Sequence, residues 1–61
     1  MKELNRKQIE DLFQKFKVVN SIISQDKYTL DIFFTLSNDQ KCLVKYSLSD
    51  LKKTYFVDSF N

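Results

Sequence analysis

The stretch from Tyr28 to Leu36 constrains this chain more than any other: Tyr28, Leu30, Ile32, Phe34 and Leu36 alternate strictly with Thr29, Asp31, Phe33 and Thr35. A period of two is that of a β-strand, and here it gathers the apolar side chains on one face. Ser37, Asn38 and Asp39 follow and mark a hairpin. The chain contains no glycine, so Asn and Asp must serve wherever the turn requires a positive φ. A two-residue Asn38-Asp39 loop would pair Leu36 with Lys41 and Ile32 with Lys45, placing two lysines on the apolar face. Closing the loop over Ser37, Asn38 and Asp39 instead pairs Phe34 with Cys42, Ile32 with Val44 and Leu30 with Tyr46. Asp31 then falls opposite Lys45 on the other face, and this is the expected register.

An N-terminal helix is predicted from Leu4 to Lys17. Asn5 and Gln8 have the spacing of a capping box, and Leu4 and Ile9 that of a hydrophobic staple. Ile9, Leu12, Phe13 and Phe16 then form one apolar stripe, with Lys15 and Lys17 near the negative end of the helix dipole. Val18 to Ser24 is rich in β-branched residues and reads as a strand, although Val19 and Ile23 also fit a continuation of the helical stripe. Ser24 to Lys27 is a polar break suited to a turn. Ser47 and Asp50 repeat the capping spacing, and Tyr46 and Leu51 the staple, so a second helix is predicted from Leu48 to about Phe56, with the stripe Leu48, Leu51 and Tyr55 and a tail carrying Val57 and Phe60. The expectation is therefore an α+β fold: a three-stranded antiparallel meander flanked by an N-terminal and a C-terminal helix, in a single domain over residues 1–61.

A chain of 61 residues has little volume for a cleft, and a single cysteine with no histidine supplies neither a disulfide nor an ordinary zinc site. Its stability must come from the nine aromatic residues, from self-association or from a bound partner. Without histidine nothing is placed to activate Cys42 or a hydroxyl, and Cys42 belongs beside Phe34 as a buried structural thiol. The carboxylates lack calcium-loop spacing. The chain is thus read as a binding protein and not an enzyme, without cofactor or metal. The absence of a basic and apolar leader pattern or a long apolar run makes the cytoplasm the expected compartment, with no membrane partner. A net charge of +2, with lysines and acids interspersed, does not by itself specify a polyanion.

The other face of the hairpin holds the candidate site. Phe33 and Leu43 become cross-strand neighbours there, among Lys41, Lys45, Thr35 and Thr29, a large apolar pair on a face that should be polar if it met water. Either a helix packs on it and makes Phe33 a core residue, or it is a contact surface with Phe33 as anchor and the lysines as rim. An aromatic between lysines also suits single-stranded nucleic acid, although Asp31 opposes it. Lys52 and Lys53 on the second helix, and Arg6 and Lys7 on the first, are basic pairs that either meet phosphate or an acidic partner or are solvated helix faces. The candidate contact residues are Phe33, Leu43, Lys41, Lys45, Lys52 and Lys53, and a homodimer through the sheet is a further possibility.

The run YTLDIFFTLSNDQKCLVKY resembles the layout of small phage anti-CRISPR proteins, and KYSLSDL is similar to a strand-to-helix junction in phage uracil-DNA glycosylase inhibitors. These resemblances cover at most half the chain and assign no residue a role. They imply a small, cofactor-free phage or mobile-element protein that binds and blocks a host protein acting on nucleic acid. Those inhibitors are typically acidic DNA mimics, and the net charge of +2 departs from that pattern.

Overall fold

The computed structural model describes residues 1–58. Five strands and one helix follow in the order β1 (Lys2–Leu4), α1 (Arg6–Lys15), β2 (Val18–Gln25), β3 (Thr29–Leu36), β4 (Lys41–Ser47) and β5 (Lys53–Val57). The strands form one sheet in the order β1-β5-β4-β3-β2, antiparallel at every pairing. This corrects the expected three-stranded meander flanked by two helices: the fold is mostly sheet, and the α+β description yields to a five-stranded antiparallel sheet carrying a single helix.

The helix starts where the capping signal places it. Asn5 accepts from the Gln8 backbone at 2.8 Å and donates its own N–H to Gln8 Oε1 at 2.9 Å. Both staple residues are buried, Leu4 at the end of β1 and Ile9 in α1. The helix stops at Lys15, two residues short of the predicted end, because Phe16 is already extended (φ −130°, ψ 138°), its N–H still bonded to Leu12. That change of direction lets Val18 onward pair with β3.

The β3–β4 register is the one the residues demand, with Phe34 opposite Cys42, Ile32 opposite Val44, Leu30 opposite Tyr46 and Asp31 opposite Lys45. The Leu36 N–H donates to Gln40 O at 2.9 Å and so closes the three-residue loop. Asp39 occupies its left-handed position at φ 68°, a role that glycine would otherwise fill.

The second predicted helix does not form. Its signal yields one turn, in which the Leu51 N–H reaches Ser47 O at 2.9 Å, and the turn ends as Leu51 adopts φ 60°. The chain then enters β5, whose residues Thr54, Tyr55, Phe56 and Val57 are β-branched or aromatic. In that conformation they bond β4 on one side and β1 on the other, a gain that an exposed nine-residue helix could not match. Val57, expected in a loose tail, is a core residue at 6% exposure. Phe60 lies outside the described residues.

The core sits between α1 and one end of the sheet. Leu4, Ile9, Leu36, Cys42 and Val57 are buried together, with Leu12, Phe13, Phe16, Phe34 and Tyr55 packed around them. Phe13 meets Phe34 edge to face, their ring centroids 5.3 Å apart. Cys42 is the buried thiol expected, and burial, with Asp58 as the lesser cause, pushes its pKa up. Its place is among the packed side chains of the core.

Candidate interaction surface

Because side chains alternate across a sheet, the residues between the core positions point away from α1. The registers bring four of them into one row across four strands: Ile22 opposite Phe33, Phe33 opposite Leu43, Leu43 opposite Phe56. The single helix of the described residues lies on the other face, so among the described residues no helix covers the row. Leu43 is nevertheless only 9% exposed, flanked by its cross-strand neighbours, whereas Phe33 is 42% and Ile22 60% exposed. Of the two alternatives for Phe33, coverage by a helix is not the one seen: α1 packs on the other face and the second predicted helix does not form.

Polar groups lie on both sides of this row. Towards one end of β4, Lys41 faces Thr35; towards the other, Lys45 sits between Asp31 and Thr54. Lys41 is tied through its backbone, which donates to Asp58 Oδ1 at 2.8 Å and accepts from the Asp58 N–H at 3.0 Å. Asp31 Oδ1 is enclosed and has no hydrogen-bond partner among the described residues. Next to the row, Met1, Asn20, Ile22, Phe33, Thr35 and Lys41 help to line a hollow of about 330 Å³.

Four of the six candidate residues, Phe33, Leu43, Lys41 and Lys45, thus share one surface. The other two leave it. Lys53 faces Tyr46 from β5, with Nζ 5.7 Å from the ring centroid, on the face that carries α1. Lys52 lies in the exposed link before β5, where it donates its N–H to Asp50 Oδ1 at 3.2 Å. That contact and the Ser47 hydroxyl, the larger effect, hold the Asp50 carboxyl below the ordinary range. On α1, Arg6 pairs with Glu10 at 3.0 Å with both side chains exposed, a contact of small energetic weight.

Ile22 and Phe56 belong to the surface and were missed. The run of β-branched and aromatic residues from Thr54 to Val57 was the signal for a strand carrying Phe56, overshadowed by the capping pattern at Ser47. For Ile22 the signal was weaker, because Ile22 and Ile23 are adjacent and only the register decides which faces where.

A second apolar area occupies the half of the helix-bearing face that α1 does not reach. Leu30, Ile32, Val44, Tyr46, Lys53 and Tyr55 line an open depression of about 370 Å³ there. Among the described residues no three His, Cys, Asp or Glu side chains come together as a metal would require, and no helix is long and apolar enough to cross a membrane. Comparison with family models, curated proteins and solved structures finds no match for this chain.

Proposed function

We propose that this chain is a small protein-binding module that acts in the cytoplasm through the Ile22–Phe33–Leu43–Phe56 row, with Lys41 and Lys45 as a polar rim. The observation that carries this reading is an apolar row four strands wide, on the face away from helix α1, with Phe33 42% exposed. Anchored binding surfaces have this composition, an aromatic and aliphatic centre with charge at the edge. The resemblance to phage inhibitors supplies a target class, a host protein acting on nucleic acid. Direct nucleic-acid binding is the weaker reading, because Asp31 lies opposite Lys45 and Asp58 beside Lys41.

The test compares wild type with Phe33→Ala in a capture experiment from lysate of the source organism, with and without nuclease. Phe33→Ala is expected to lower stability by about 1 kcal/mol or less, as for a half-exposed side chain, and to remove a stoichiometric protein partner that survives nuclease. A loss of about 3 kcal/mol would make Phe33 a core residue and overturn the assignment. Capture of nucleic acid alone, released steeply by salt, would favour the alternative.

A further inference from the structure

The two edges of the sheet are built differently. β1 is three residues long and carries Lys2 and Glu3, the short, charged form by which proteins guard an edge against pairing. β2 has none of these guards. It runs eight residues as VVNSIISQ, with no charge and no proline, every residue exposed, in a chain of which 30% is charged. Its register irregularity is confined to Val18/Asn20, so Asn20 to Gln25 pair regularly with β3 and leave an unbroken outer edge.

We propose that β2 pairs antiparallel with β2 of a second copy of this chain about a two-fold axis, joining two sheets into one of ten strands. This goes beyond the surface assigned above and does not require it. An edge of backbone N–H and C=O groups is completed by another extended strand, which settles the kind of group that fits. The identity follows from self-complementarity. A two-fold axis sets like strands against each other, and an uncharged strand meets no repulsion in doing so, while it offers a foreign segment no charge by which to be selected.

The axis also restricts the register. It runs perpendicular to the sheet, so like faces stay on the same side and residues from the same face must oppose each other. Centring the pair on Ile22 sets Ile22 against its counterpart, Ser21 against Ile23 and Asn20 against Ser24. The Ile22–Phe33–Leu43–Phe56 rows of the two copies then meet end to end in one apolar ribbon. Ile23, beside Ile32 at the margin of the other uncovered area, is sheltered at the same junction.

Light scattering and sedimentation equilibrium on the intact protein, from the micromolar to the millimolar range, test this. Wild type is expected to move from monomer to dimer mass as concentration rises, with no larger species. Ile23→Lys, at a position 65% exposed, is expected to remain a monomer with an unchanged far-UV spectrum. The cysteine variant Ile22→Cys reports on register without depending on loss of association, since Cys42 is buried. Under mild oxidation it is expected to form a covalent dimer, while Asn20→Cys does not. A wild-type monomer throughout the range would overturn the proposal, as would a dimer that survives Ile23→Lys or cross-links as readily through Asn20→Cys. None of these outcomes depends on the Phe33 binding test, so either reading can fail alone.

Discussion

At the scale of single residues, the lack of glycine leaves its mark at the turns. Asp39 and Leu51 both have positive φ, but Asp tolerates the left-handed region through local hydrogen bonding and leucine does not. Leu51 is 67% exposed, so its side chain gives little packing in return. Leu51→Gly is therefore expected to stabilise the protein by about 1 kcal/mol, read as a rise of roughly 4–8 °C in Tm. An unchanged or lower Tm would mean that the turn is not held as described. Asp26 is the opposite case, a residue well matched to its turn. Its Oδ1 accepts from the Tyr28 N–H at 2.8 Å and the Thr29 N–H at 2.7 Å, and these bonds, Tyr28 first, lower its pKa from 3.8. A carboxyl with a depressed folded pKa contributes stability above its unfolded pKa and loses it as pH falls through the folded value. Asp26→Ala should accordingly lower Tm at neutral pH, and the gap from wild type should close as the pH is taken below 3.8. A gap that persists in acid would assign the effect to packing instead of charge.

At the scale of elements, two similar signals had different outcomes. Asn5 with Gln8 and Ser47 with Asp50 have the same spacing, and each is bracketed by an apolar pair. At Asn5 the pair is buried and the helix forms; at Ser47 the pair is split, because Leu51 is exposed. Capping is a local signal worth about 1 kcal/mol, and it cannot reveal that β4 leaves an edge open for residues 53–57 to fill. The strand conformation of those residues is decided by a pairing that spans the whole molecule, since β1 flanks β5 on its far side. β1 itself, at three residues, is too short to display a period. The β3–β4 hairpin was legible to the residue because both faces of its register could be checked chemically. The same register made Phe33, Leu43, Lys41 and Lys45 legible as one surface. Lys52 and Lys53 were drawn to it only by the helix that does not form. Asn5→Ala is expected to cost about 1 kcal/mol, because the cap serves a helix that does form, whereas Ser47→Ala should cost less than half as much. Chemical denaturation of both variants checks this, and equal losses would show that the single turn at Ser47 matters as much as α1.

At the scale of the molecule, the fold rests on one small contact between α1 and the sheet. Stability per residue in domains of this kind implies a total of roughly 3–9 kcal/mol for a chain this short. Ile9 is the helix residue buried most deeply, at 3% exposure, among Leu4, Leu36, Cys42 and Val57. Removing its side chain down to the methyl would cost about 2–5 kcal/mol, a large share of that total. Ile9→Ala is thus expected to be substantially unfolded when dilute. Here the helix and the β2 edge become coupled, because pairing of folded chains draws the equilibrium towards the folded state by mass action. Raising the concentration of Ile9→Ala should recover native far-UV ellipticity, and the double variant Ile9→Ala/Ile23→Lys should show no such recovery. Recovery in both would place the stabilising contact somewhere other than β2, and recovery in neither would mean that the helix is needed before the edge can pair.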